Sequence, residues 1–145
     1  MAKMAENKPL IAVVDDDQSV LSSLARLLRS SGYAVVTYSS AQEFLSSIAT
    51  SSPQCLVLDV QMPAMNGFEL HSRLTVLGHP VPVIFITAHD SPQTRSLANQ
   101  SGTSELLFKP FKAGALLTAI GKAVEHPRAV RNRPGERSSP SVASP

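Results

Sequence analysis

One cysteine, Cys55, stands in the whole sequence, so no internal disulfide can staple the chain and its stability must come from a packed core, as suits a reducing compartment. Cys55 itself lies in the apolar run CLVLD and reads as a small buried hydrophobe. No apolar stretch reaches the roughly 18–20 residues that a bilayer-spanning helix needs. The opening MAKMAENKP lacks the apolar core of a signal peptide. A cytoplasmic protein with no membrane partner is therefore expected. Aromatic residues are missing from positions 126–145, HPRAVRNRPGERSSPSVASP, which leaves nothing there to stack on bases. Four of the 11 prolines and no apolar period mark the same positions as a disordered tail. The net charge of +2 divides unevenly, with +3 on the tail and −1 on residues 1–125, so the basic excess does not describe a nucleic-acid-binding domain. With 43% hydrophobic and 17% charged residues, 145 residues make one globular domain and leave no room for a second. The expected division is an extension at 1–8, a folded domain at 9–125 and the tail at 126–145.

What is present is an alternation. Short apolar runs at 10–15 (LIAVVD), 34–38 (AVVTY), 55–59 (CLVLD), 81–87 (VPVIFIT) and 105–109 (ELLFK) read as strands, and their continuous apolarity suits strands buried on both faces. Helix-period segments separate them. Val20, Leu21, Leu24, Leu27 and Leu28 form the first, with Asp17 as its N-cap and Gly32 as its stop. Ser40 and Glu43 form a capping-box pattern ahead of Phe44, Leu45 and Ile48. Phe68, His71, Leu74 and Leu77 mark a third helix, and Leu116, Leu117, Ile120 and Val124 a fifth. The fourth, opened by Ser91 and Pro92, holds little beyond Leu97 and Ala98. Five strand–helix units with right-handed crossovers predict an α/β fold: a doubly wound, five-stranded parallel sheet of order 2-1-3-4-5.

Ligands of such sheets bind beyond the carboxyl ends of the strands, at the switch point between strands 1 and 3. Asp15 and Asp16 end the first strand, Asp59 the third, Thr87 the fourth and Lys109 the fifth. Acids crowded on one rim repel one another unless a cation neutralises them, and an all-oxygen donor set suits Mg²⁺. A hard cation beside Asp59 also holds phosphoryl oxygens. Lys109 adds a mobile positive charge and Thr87 a hydroxyl donor. An aspartate so placed can be the nucleophile that accepts a phosphoryl group as an acyl phosphate.

The blocks VVDDD, VLDVQMPAMNGFEL, FITAHD and LFKPF resemble the receiver domain of two-component response regulators, over about residues 9–125. The likeness extends to receivers of the nitrogen-fixation regulator type. It implies a flavodoxin-like receiver fold and phosphorylation of Asp59 by a sensor histidine kinase or a phosphotransfer protein. By the same resemblance Mg²⁺ is held by Asp59, by Asp16 directly, by Asp15 mainly through water and by the backbone carbonyl of Gln61. Thr87 and Lys109 hold the phosphoryl oxygens, Lys109–Pro110 is a cis peptide, and Met62, Pro63 and Gly67 shape the loop after Asp59. Gln61, Ala88 and His89 border the phosphoryl group and modulate its hydrolysis. Two positions depart from the family. Leu106 stands where a Tyr or Phe ring usually turns inward as Thr87 moves, and Gly102–Thr103 replaces the usual Gly-Ala. A weakened switch through Thr87 and Leu106 is expected, with the phosphorylation chemistry intact.

No helix-turn-helix pattern follows residue 125, so the expectation is a stand-alone receiver, not a turnover enzyme, which relays or drains a signal through contacts with another protein. No direct DNA contact is expected. The alternatives are the receiver part of a longer DNA-binding regulator, a degenerate receiver, or an aspartate-nucleophile phosphohydrolase of the haloacid dehalogenase type. The last requires a second acid two residues after the nucleophile, where Gln61 stands. His71, His79 and His126 show no ligand spacing and read as surface residues.

Overall fold

The computed structural model describes residues 8–101 and 105–125. The expected tail, most of the expected N-terminal extension and Gly102–Thr103 lie outside them. Ten elements alternate along the chain: β1 (Leu10–Val14), α1 (Gln18–Ser30), β2 (Ala34–Tyr38), α2 (Ala41–Ser47), β3 (Cys55–Asp59), α3 (Gly67–Val76), β4 (Val83–Thr87), α4 (Pro92–Gln100), β5 (Glu105–Phe108) and α5 (Ala113–Glu125). The strands are all parallel in the order β2-β1-β3-β4-β5, as the alternation predicts.

Side chains alternate across each strand, so one sequence feeds two cores. Ile11, Val13, Val57, Ile84 and Ile86 meet α1 and α5 through Leu21, Leu28, Leu116 and Ile120. Ala12, Val14, Leu56, Leu58 and Phe85 meet α2, α3 and α4 through Phe44, Leu70, Leu74 and Ala98. Central strands β3 and β4 are buried throughout, whereas β2 and β5 are half-buried because each has a neighbouring strand on one side alone. Cys55 is wholly buried, and burial pushes its thiol up to about 12, so it packs as an inert hydrophobe.

The helix ends follow local chemistry, with three corrections. Asp17 caps α1 by accepting the Ser19 N–H at 2.9 Å, and Gly32, at φ +99°, turns the chain out of it. At α2 the expected capping box is half made: Ser40 accepts the Glu43 N–H, but the Glu43 carboxylate reaches one residue further back, to the Ser39 N–H at 2.7 Å. A complete box opens α3 instead, with Asn66 and Glu69 exchanging bonds of 2.9 and 2.8 Å. Leu77 falls just past α3 and is 54% exposed, since a helix that stops at Val76 no longer carries it under the sheet. In α4, Leu97 is 40% exposed and the inward positions go to Thr94 and Ala98. The Ser91–Pro92 start fixes the helix phase, and that phase turns Leu97 outward.

Candidate functional site

Parallel strands bring their carboxyl ends to one edge, and the chemistry-bearing residues arrive there together. Asp15 and Asp16 follow β1, Asp59 ends β3, Thr87 ends β4, and Lys109 follows β5, tied to β4 by its N–H on the Thr87 carbonyl at 2.7 Å. Carboxylate oxygens of Asp15, Asp16 and Asp59 all lie within 4.8 Å of one another. Asp15 is fully buried and Asp59 nearly so, while Asp16 is exposed. Lys109 Nζ sits between the two buried acids, 2.9 Å from Asp15 Oδ2 and 3.4 Å from Asp59 Oδ1.

One ammonium cannot neutralise three carboxylates, and Asp59 feels the deficit. Burial first, then the Asp15 charge, pushes the Asp59 carboxyl up to about 6, against the opposing pull of Lys109. Burial pulls the Lys109 ammonium down, but its hydrogen bond to Asp15 and the charges of Asp59 and Asp15 together hold it above the ordinary lysine value. The donor chemistry fits a hard divalent cation: three hard oxygen donors within reach of one point, with excess negative charge to neutralise. The acids differ in readiness for it. Both oxygens of Asp15 are engaged, Oδ1 by the Asp17 N–H at 2.9 Å and Oδ2 by Lys109, whereas Asp16 faces solvent.

The other expected residues fall around this cluster. Thr87 is fully buried, and its hydroxyl donates to Gln61 Oε1 at 2.6 Å and accepts the His89 N–H at 3.0 Å. Gln61, Ala88 and His89 are exposed beside it. Lys109–Pro110 is cis. Leu106 is half-buried against the core formed by Ala12, Phe85 and Ala98. His71 corrects the sequence reading: it is half-buried, its ring 5.9 Å from that of Phe85, and burial pulls its imidazole below the ordinary value. His79 is exposed, as expected, and His126 lies outside the described residues.

Three contacts escaped the sequence, although Gly67 itself was expected to shape the loop after Asp59. Gly67 packs so closely beneath Asp59 that a Cβ there would lie 2.5 Å from the Asp59 carbonyl oxygen, and its N–H donates to the Val60 carbonyl at 3.0 Å. Glycine at the first position of α3 is therefore a condition for the close approach of that helix to the end of β3. The Gln61–Thr87 bond joins β3 to β4 across the rim. Arg95 of α4 lies 4.7 Å over the Phe108 ring, held there by Asp90 through bonds of 2.8 and 2.9 Å. Phe108 is two residues from Leu106, so both face the α4 side; two-residue spacing could have predicted that placement but not the arginine.

Residues 11–121 match the response regulator receiver domain. The chain belongs to that family. This receiver is 38% identical over 122 residues to the response regulator protein TodT of Pseudomonas putida, an alignment covering 84% of this chain and 54% of TodT. It is 37% identical over 129 residues to the transcriptional regulatory protein FixJ of Azorhizobium caulinodans, covering 86% of this chain and 61% of FixJ. The chain thus spans little more than half the length of these curated relatives. A response regulator receiver protein from Burkholderia phymatum has a solved structure that superimposes with a TM-score of 0.73 at 44% identity, covering 81% of this chain and 96% of that one. Receiver domains bind Mg²⁺ at an acidic pocket, and this receiver carries a cluster of three acids, Asp15, Asp16 and Asp59. No described helix is long and apolar enough to cross a membrane. The expectation of no direct DNA contact gains no support from these relatives, one of which is named a transcriptional regulator.

Proposed function

We propose that Asp59 is the phosphoacceptor of this receiver, charged from a phosphohistidine on a sensor histidine kinase or phosphotransfer protein, with Mg²⁺ as cofactor. The observation that carries this reading is the convergence of three carboxylates within 4.8 Å, two of them buried, around a single lysine. Folding alone gives no reason to assemble it. In the reaction an Asp59 oxygen forms a bond to phosphorus while the bond from phosphorus to the donor nitrogen breaks, the imidazole keeping that electron pair. Asp16, Asp59 and the Gln61 carbonyl would hold Mg²⁺ directly and Asp15 through water, which agrees with the two hydrogen bonds already occupying Asp15. When bound, Mg²⁺ offsets the acid charge and that of the phosphoryl oxygens. Lys109 and Thr87 take the remaining oxygens. Exposed Gln61, Ala88 and His89 line the side from which water reaches the acyl phosphate, so they modulate its hydrolysis. The receiver takes up and loses a phosphoryl group on itself and turns over no separate substrate.

The output is a contact with a downstream protein, with the receiver acting as a sink, a carrier or a driver of an effector. Leu106 offers no ring to swing toward Thr87, so the link from the rim to α4 and β5 is weaker than in receivers with an aromatic there. NMR spectra with and without beryllofluoride, a phosphoryl mimic, check this: shifts should stay close to the rim, and large shifts throughout 91–101 and 105–112 would contradict it. The phosphohydrolase reading lacks its second acid, because Gln61 stands in that place.

The reading is tested by incubating the protein with acetyl phosphate. One hydroxylamine-labile phosphoryl group per chain is expected with Mg²⁺ and none with a chelator; uptake indifferent to the chelator would contradict it. Asp16→Asn should weaken Mg²⁺ binding at least about tenfold by loss of a ligand. Its stability in metal-free buffer should stay level or rise, because removing one of three crowded charges relieves repulsion. A large loss of stability there, read by urea titration, would make Asp16 a structural acid instead.

A further inference from the structure

The Thr87 hydroxyl has one proton to give. That proton goes to Gln61 Oε1 at 2.6 Å, while the His89 N–H fills a lone pair on the same oxygen at 3.0 Å. The other acceptor in range, the His89 carbonyl at 3.4 Å, is too distant to compete. A phosphoryl group on Asp59 brings only acceptor oxygens, so Thr87 can serve it only by donating the same proton. Gln61 and the phosphoryl group therefore compete for one donor.

We infer that the Gln61 side chain is a latch on Thr87: it holds the hydroxyl in the unphosphorylated receiver, releases it when Asp59 is loaded, and so sets how readily the receiver switches. The inference rests on the reading of Asp59 as phosphoacceptor. Gln61 is a positioning residue here, acting through Thr87.

Its placement suits release as well as holding. Gln61 leaves the end of β3 two residues after Asp59, and Thr87 ends β4, the neighbouring strand, so the latch spans the two strand ends that a phosphoryl group would bridge. Thr87 is buried and needs a partner for its hydroxyl, whereas Gln61 is exposed and regains water when it lets go. The bond is strong enough to define a resting position and weak enough to be displaced by a charged acceptor. A carboxylate at position 61 would hold the hydroxyl harder and repel the incoming anion. A methionine would fill similar space and hold nothing.

The test uses the full chain with Mg²⁺ and beryllofluoride, by isothermal titration, in wild type, Gln61→Met and Gln61→Glu. Gln61→Met should bind the mimic about two- to tenfold more tightly, the value of one neutral hydrogen bond that no longer has to be broken. Gln61→Glu should bind more weakly than wild type. Without the mimic, the Thr87 and His89 NMR signals of Gln61→Met should already lie part-way toward their beryllofluoride-bound positions, a displacement that a merely structural role would not produce. Unchanged affinity in Gln61→Met, or Thr87 and His89 signals that stay at wild-type positions, overturns the latch. A wild-type protein that fails to bind beryllofluoride at all overturns the phosphoacceptor reading itself, which separates the two failures.

Discussion

Asp59→Asn should abolish phosphoryl uptake and, in metal-free buffer at pH 7 to 8, make the protein more stable than wild type by about 1–3 kcal/mol. The loss follows because the amide nitrogen and neutral oxygen of asparagine are not nucleophiles for phosphorus. The gain follows from linkage. Burial and the Asp15 charge push the Asp59 carboxyl up to about 6 from an ordinary value of 3.8. A group that binds its proton more tightly when folded supports the fold below the unfolded value and withdraws that support as pH rises through the folded one. The ionised carboxylate at neutral pH therefore costs roughly 3 kcal/mol, part of which its contact with Lys109 would keep from being recovered on mutation. Urea titrations from pH 4 to pH 8 check the sign: the advantage of the mutant should be near zero at pH 4 and full above pH 7. A mutant less stable than wild type at pH 8 would mean that Asp59 is a satisfied structural acid.

Gly67→Ala should cost about 1–3 kcal/mol, as overpacking of a close contact does, and should slow phosphorylation as well. The added carbon would lie 2.5 Å from the Asp59 carbonyl oxygen and 3.1 Å from Val60 Cα, both backbone atoms that cannot turn aside as a flexible side chain could. Either α3 moves away from the sheet or the end of β3 is displaced. Leu70 and Leu74 bury α3 in the core, which resists the first movement, so the strain passes to the second and reaches Asp59. Gly32→Ala makes a useful comparison: nothing lies within 4 Å of a Cβ at Gly32, so its cost comes from the backbone angle alone and phosphorylation should not change. Thermal unfolding and acetyl phosphate uptake measured on both variants separate packing at the site from backbone strain far from it. Normal uptake in a destabilised Gly67→Ala would show that Gly67 serves the fold and not the placement of Asp59.

Much of this was legible in the chain because its signals are local. Continuous apolar runs ending in Asp15, Asp59, Thr87 and Lys109 fixed both the strands and the edge at which they end, and parallel topology brought the four together. Asp17, Gly32, Ser91 and Pro92 mark helix ends by chemistry confined to a turn, and they lie where that chemistry puts them. What stayed hidden is non-local or depends on phase. No rule of spacing tells that Gln61 finds the hydroxyl of Thr87, 26 positions later, or that Arg95 covers Phe108. The outward turn of Leu97 depends on the angle at which α4 begins, and the burial of His71 depends on Phe85 from another strand. The Asn66–Glu69 box is the exception, a local signal that stood in the sequence at the spacing of a capping box.

The central claim is that Asp59 carries the phosphoryl group, and the measurement that addresses it most directly is chemical mapping of the bond. An acyl phosphate on an aspartate is reduced by borohydride to homoserine, which peptide mass spectrometry locates. After treatment with acetyl phosphate and Mg²⁺, homoserine should be found at position 59 and should disappear when the metal is chelated. Homoserine at position 15 or 16, or a phosphoryl group that survives borohydride on a serine, threonine or histidine, would contradict the account.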